Sequence, residues 1–417
     1  MIQSAVVIDA TTRSSRTSGL WTPAYDDSEA YEWVIDEYPE LSSAGPIAHI
    51  HPSTLVLRDY FVAFNILPIF YWENIDSTTE TIFSNFLEDT GPNQAVFGIW
   101  NPLAQEKPFD LGKPECEYDE HQYMRLLCPY GKYIECTGES GISNLSFQSG
   151  MHMLKDTFRD EHGPSLTLDS SKVYVAFNIT DGDNIGNLWN GFGYTPGRWW
   201  DDSNRGDVWI NWSYSASMLD LMPGLTSYYY DTATSKDSFL GGGIGYILLD
   251  DYATEYTTTR DSLIRDFYTT TDIAQENLDI YSLWGLTEYN LSGTPNSQSD
   301  LPELAIACDE MNEGEPFECI LLDYNRRSGV SSYSDTNLES SNIPIFLTVN
   351  NGSTSITDVA NTIRSYTPTT KPAFLHVSLI NWDWEPDEVE LLAEELGSGY
   401  VPVDTKNMSQ LYYEANN

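Results

Sequence analysis

Apolar and aromatic runs that end in small or polar residues recur along the last 250 or so positions of the chain. They fall at VYVAFNI (173–179), DVWINW (207–212), FLGGGIGYI (239–247), LDIYSLWG (278–285), ELAIAC (303–308), ECILLDY (318–324), IPIFLTV (343–349) and PAFLHVSLI (372–380). Short runs rich in β-branched and aromatic residues, closed by Gly, Asn or Asp, read as strands. Helical patterns or long loops separate them. Eight such strands predict an α/β fold with a (β/α)8-type, TIM-like barrel; one strand fewer gives an incomplete barrel of seven.

The earlier part patterns differently. Residues 1–45 are polar with scattered aromatics, and read as a strand and an extended arm. Residues 54–72 are apolar enough for buried strand or helix. Thr78 to Glu88 has helical spacing after a Ser/Thr/Asp start, and 95–100 reads as a strand. Residues 121–136 predict a helix ending near Pro129-Tyr130-Gly131 and then a strand. Together they predict a smaller α/β domain over 1–165, joined through the turn-rich EHGPSLTLDSS (161–171) to a barrel domain with C-terminal helices over 170–417.

Charge changes the picture more than composition does. The 417 residues carry 63 acidic against 20 basic side chains, a formal net charge of −43, spread along the chain. Such a surface repels itself at low ionic strength. Molar salt, with a Debye length of about 3 Å, screens the repulsion. A halophilic source is expected, with a calcium-rich extracellular setting as the alternative. Nucleic acid and anionic membranes are poor partners, because phosphate recognition needs a basic patch. No apolar run approaches the roughly 20 residues of a membrane span. The N-terminus lacks the basic region of an ordinary secretion signal. An extracellular or cell-surface location is favoured; a virion or the cytoplasm also fits. None of the five cysteines forms a CxxC pair. Cys308 and Cys319 flank an acidic loop that a disulfide could bridge.

Acid–base hydrolysis at strand ends draws on two carboxyl groups, one protonated and one ionised. Asp181 and Asp183 follow the first barrel strand and flank Gly182, which permits an unusual turn. They are candidates for nucleophile, base or metal ligand. Asp309, Glu310 and Asp323, at later predicted strand ends, are candidates for the acid partner. The DGDN stretch also resembles the start of a calcium loop without its closing Gly and Glu, or an Asx turn capping a helix. No cofactor is expected; calcium or another divalent cation is the alternative. Asn184, Trp212, Gly243, Gly245, Tyr246, His376, Asn381 and Trp382 are candidates for shaping a carbohydrate site, where aromatic rings pack on the C–H faces of sugars. His49 and His51 form an HxH pair with no evident third metal ligand.

Several of these pieces carry a family resemblance. Thr180 to Asn184, the Trp-Ser strand after it, YYYDTAT (228–234) and Gly243-Ile244-Gly245-Tyr246 occur in that order. With 54–72, 130–151 and 371–389 they resemble the GxGYxYP family of putative glycoside hydrolases, over roughly 45–412. The resemblance implies a barrel fold and glycoside hydrolysis. The chain departs from it where the family's Tyr-Pro is replaced by Leu248-Leu249. A non-catalytic carbohydrate-binding or structural surface protein is therefore a second expectation. A metal-dependent, deacetylase-like hydrolase is a third.

Overall fold

The computed structural model describes residues 8–9, 14–15, 45–49, 57–69, 77–98, 120–137, 142–152, 157–160, 164–192, 195–287, 302–312, 317–324, 337–340, 343–349 and 353–416. Two-residue strands β1 (Ile8–Asp9) and β2 (Ser14–Ser15) pair with each other. A four-stranded parallel sheet follows, built from β3 (Ile47–His49), β4 (Leu67–Ile69), β5 (Gln94–Gly98) and β6 (Lys132–Cys136). Its order is β4-β3-β5-β6. Helices α1 (Arg58–Phe64), α2 (Ser77–Asp89) and α3 (Glu120–Leu127) connect these strands. Cys128–Tyr130 forms a single 3-10 turn closed by Gly131 at φ 62°, as the Pro-Tyr-Gly pattern predicts. Helix α4 (Leu145–Ser149) completes this part.

The larger sheet holds seven parallel strands: β7 (Val173–Ile179), β8 (Ile210–Tyr214), β9 (Asp237–Gly241), β10 (Ser282–Thr287), β11 (Cys319–Tyr324), β13 (Ile343–Leu347) and β14 (Ala373–Leu379). Antiparallel β12 (Asn337–Ser340) flanks β13, and short β15 (Tyr400–Pro402) pairs with the start of β7. The sheet curls until β13 meets β14. There the Val349 N–H donates to the His376 carbonyl at 2.9 Å, and Thr348 bridges His376. Side chains alternate between the two faces of the curled sheet. On β7, Val173, Val175, Phe177 and Ile179 join the cluster under the helices, while Tyr174 and Ala176 join the interior cluster. Phe374 stacks on Tyr174 across the β7–β14 pair, ring centroids 5.5 Å apart. Helix α11 (Thr405–Asn416) closes the N-terminal end of this interior with Met408, Leu411 and Tyr412.

Among the described residues the barrel has seven strands, the smaller of the two expected numbers. The expected strand at 303–308 is part of helix α8 (Pro302–Met311). Leu304, Ala307, Cys308 and Met311 are buried at helical spacing, and Pro302 suits a first helical turn. Helix α8 packs on α7 (Arg260–Glu276) outside the sheet. Cys308 and Cys319 are buried thiols, with no disulfide between them. Two strand limits also shift: β8 runs to Tyr214, and β9 ends at Gly241, leaving Gly242 to Tyr246 as a loop. The remaining helices are α5 (Met218–Leu221), α6 (Pro223–Thr232), α9 (Ile356–Tyr366) and α10 (Pro386–Leu396). Among the described residues, no helix is long and apolar enough to cross a membrane.

The smaller sheet docks on the C-terminal end of the barrel through its edge strand β6. Ile134 and Tyr246 exchange backbone hydrogen bonds of 2.9 and 3.0 Å, and Cys136 bridges Asn184. A shared apolar cluster joins Phe86, Leu87, Met124 and Leu127 to Tyr246, Leu248, Leu249 and Tyr252. Leu248 and Leu249 are each 1% exposed within it. Tyr252 adds hydroxyl bonds to Gly131 O (2.9 Å) and Asn93 Oδ1 (2.6 Å).

Candidate active site at the barrel mouth

The turn after β7 is built by steric exclusion. Asp181 takes φ 67°, and a Cβ on Gly182 would lie 1.5 Å from the Ser213 carbonyl oxygen, so only glycine fits. The Gly182 N–H donates to Ser213 Oγ at 2.7 Å, and Ser213 Oγ–H donates to Ile179 O at 3.0 Å. Asn184 Oδ1 accepts from the N–H groups of Gly186 (2.9 Å) and Asn187 (3.3 Å). The capping role expected of the aspartates therefore falls to Asn184. It leaves Asp181 half-buried, accepting from Thr180 Oγ1, and Asp183 buried. Asp183 leans over the end of β9: a Cβ on Gly242 would lie 3.3 Å from its Cβ.

Near Asp183, through the backbone bridge between Cys136 and Asn184, lies a carboxyl that the sequence reading did not single out. Glu135, on β6 of the smaller sheet, is 3% exposed. Its Oε2 accepts from Ser217 Oγ at 2.8 Å, and Ser217 Oγ contacts Ser215 Oγ at 2.8 Å. Burial pushes the Glu135 carboxyl up to about 8; the Ser217 hydrogen bond opposes this, and the negative charge of Asp183 adds to it. A signal was present in the sequence: Glu135 sits between Ile134 and Cys136 in a strand otherwise suited to burial.

A small cavity of about 20 Å³ lies beside Asp183. Gly242, Gly243, Gly245 and Tyr246 of the loop after β9 line it, with Phe267 and Trp284. Gly245 is required here by close approach, since a Cβ would lie 2.5 Å from the Tyr133 ring. Gly243 O accepts from Ala216 N–H at 2.9 Å, tying this loop to the end of β8.

The other expected residues scatter. Asp309 and Glu310 belong to α8, and Glu310 pairs with Arg265 of α7 in the outer helix layer, so neither stands at a strand end. Asp323 points into the barrel from β11 and accepts from Ser378 Oγ–H; His376 lies in the same interior with Nδ1 3.2 Å from Phe346 O. Trp212 faces outward, beneath Trp200 and Phe192 with centroids at 5.3 Å in both cases, and donates to Asp237 Oδ1 at 2.9 Å. It is core and does not line the mouth. Asn381 is buried, its carbonyl accepting from Trp199 Nε1, and beside it Trp382 is 58% exposed. His49 stacks on Tyr123, centroids 4.7 Å apart; His51 lies outside the described residues. Among the described residues, three acidic groups at metal-ligand spacing occur at Asp202, Glu385 and Asp387, a set that includes neither Asp181 nor Asp183. Glu385 there is held by Arg198.

A parallel α/β barrel with two buried carboxyls at its C-terminal mouth defines the class, for strand C-termini are where such folds place their chemistry. The GxGYxYP putative glycoside hydrolase C-terminal domain matches residues 171–413, and the chain belongs to that family. The fold is shared with the crystal structure of a putative hydrolase from Bacteroides thetaiotaomicron VPI-5482. That structure has a TM-score of 0.70 at 17% sequence identity, over 94% of this chain and 70% of that one. No curated protein matches the chain. Glu135 lies outside the matched span, in the smaller domain.

Proposed function

We propose that the protein hydrolyses glycosidic bonds of a poly- or oligosaccharide, with Glu135 and Asp183 as its chemical groups. One observation carries this reading: the backbone bridge between Cys136 and Asn184 brings the buried carboxyl of Glu135, pushed up to about 8, within electrostatic reach of Asp183 at the barrel mouth. At neutral pH Glu135 keeps a proton to give, and Asp183 supplies the second carboxyl that glycoside hydrolysis needs. The glycosidic bond from the anomeric carbon to the leaving oxygen breaks. That oxygen takes the Glu135 proton. Water supplies the hydroxyl that bonds to the carbon, and its remaining proton returns to the site's carboxylates. Asp183 balances the positive charge that develops on the ring. The pair completes this chemistry without a cofactor.

Product release from a broad glycan panel in high salt, wild type beside Glu135→Gln and Asp183→Asn, tests the reading. Release by the wild type, reduced about 10²–10⁴-fold in each variant with the fold intact, is the expected result. No release by any of the three, with the fold confirmed, overturns it and favours the non-catalytic binding role. A metal-dependent deacetylase-like activity would appear instead as acetate release sensitive to chelation.

A further inference from the structure

Glu135 and Asp183 are buried, at 3% and 6% exposure, so a glycan chain has to be held first by groups that water reaches. One such group stands a single strand away. β14 and β7 run in register to their ends, with Leu379 opposite Ile179, and the Thr180 N–H donates to Leu379 O at 3.0 Å. Neighbouring strands stand about 4.8 Å apart, so the turn after β14 leaves the sheet beside the turn that carries Asp181. Trp382 sits in that turn and is 58% exposed. Trp384, two residues on, is buried in the core, and among the described residues no other tryptophan is exposed.

The turn holds this ring in water by fastening the backbone on both sides of it. Asn381 O accepts from Trp199 Nε1 at 2.8 Å, and the Asp383 N–H donates to Ile380 O at 3.1 Å. Just beyond, Glu385 and Glu388 form a reciprocal capping box at the start of α10. Polar groups share this rim. Arg198, its side chain 43% exposed, pairs with Glu385 and lies 4.1 Å over the Trp199 ring, and Asp181 is half-buried on the neighbouring turn. A rigid, exposed indole offers a flat apolar face to the C–H face of a sugar. Carboxylates and a guanidinium nearby suit its hydroxyls.

We infer that Trp382 is the stacking platform of a sugar-binding subsite on the rim of the mouth, separate from the buried carboxyls, which holds one pyranose ring of a glycan chain. The class of ligand rests on the hydrolase reading above; the place of the subsite rests on the register of β14 with β7 and on the exposure of Trp382.

The test uses the full chain in high salt with linear glucan, mannan, galactan and xylan oligosaccharides. Binding is followed by tryptophan fluorescence and by its quenching with acrylamide, in wild type, Trp382→Ala and Trp382→Phe, with the fold of each checked by melting. The expected result is that at least one glycan shields the wild-type fluorescence from acrylamide. Trp382→Ala should lose that shielding and bind at least about tenfold more weakly, while Trp382→Phe, which keeps an aromatic face, stays within about threefold of wild type. Equal binding by Trp382→Ala and wild type, or no glycan bound by the wild type, overturns the subsite. Bond cleavage is scored separately on the same glycans. Cleavage that Trp382→Ala leaves unaltered overturns the subsite and keeps the hydrolase reading. Binding that depends on Trp382, with no bond cleaved, keeps the subsite and overturns the hydrolase reading.

Discussion

Glu135 and Ser217 give the sharpest handle on the chemistry. A general acid matters most when the leaving group is poor. Glu135→Gln should therefore lose about 10²–10⁴-fold on natural glycans, but far less on aryl glycosides whose leaving group needs no proton. Asp183→Asn should lose activity on both. Equal losses on the two substrate types for Glu135→Gln would remove it from the acid role. With Glu135 raised to about 8, activity should fall as pH rises through about 8. The Ser217 hydroxyl donates to the Glu135 carboxyl and holds its proton affinity down. Ser217→Ala should thus move the alkaline limb of the pH–rate profile upward, a direction that mere loosening of the site would not produce. Gly182→Ala tests the scaffold: a methyl 1.5 Å from the Ser213 carbonyl forces the turn apart, and both stability and turnover should drop.

At the scale of elements, one ion pair ties the aromatic layer to the barrel. Arg205 pairs with Asp237 at the start of β9, donates to Trp200 O (2.7 Å) and Thr232 O (3.0 Å), and lies over the Trp200 ring. Asp237 is 1% exposed, so Arg205→Ala leaves a buried carboxylate with only Trp212 Nε1 and the Thr234 N–H as donors. Removing one partner of such a pair costs about 3–5 kcal/mol, and Tm should fall by several degrees; a melting point within a degree of wild type would show the pair to be idle. Elements of this kind were legible where local pattern decided the outcome. The strands at 173–179, 318–324 and 372–380 carry β-branched runs buried on both faces, and helix 120–127 ends at its Pro-Tyr-Gly stop. ELAIAC misled because a six-residue apolar run has no visible period; its helical spacing shows only once Met311 is counted. Asp181 and Asp183 stand out as candidates because strand, turn and glycine are contiguous. Glu135 does not, because its place near Asp183 depends on β6 docking across the mouth, which brings together residues 48 positions apart and which no local pattern encodes. Trp212 shows the converse limit: alternation places it on one face of β8, but which face looks inward is set by the neighbouring strands.

Across the whole molecule, stability should depend on pH with a sign opposite to ordinary acid denaturation. Burial raises Glu135 from 4.5 to about 8 and Glu318 from 4.5 to about 7, and also raises Asp160. Between pH 4.5 and 7 the folded chain holds protons on Glu135 and Glu318 that the unfolded chain has released. The folded state binds more protons, so unfolding free energy falls as pH rises. Lys132 acts the other way, but later: burial lowers it from 10.5 to about 7, so it adds stability with pH only above 7. The steepest loss therefore lies between about 4.5 and 7, flattening toward 8 as Lys132 offsets Glu135. The net charge of −43 produces a loss of the same sign, because the repulsion it reports grows as carboxyls ionise. Salt separates the two. Molar KCl screens the surface term, with a Debye length of about 3 Å, but screens buried groups much less. Tm should rise with KCl at every pH, and most at pH 8. At saturating KCl a residual fall from pH 5 to pH 7 should persist, and Glu135→Gln with Glu318→Gln should flatten it. If salt alone abolishes the slope in the wild type, the buried carboxyls do not govern it and the self-repulsion of the surface does.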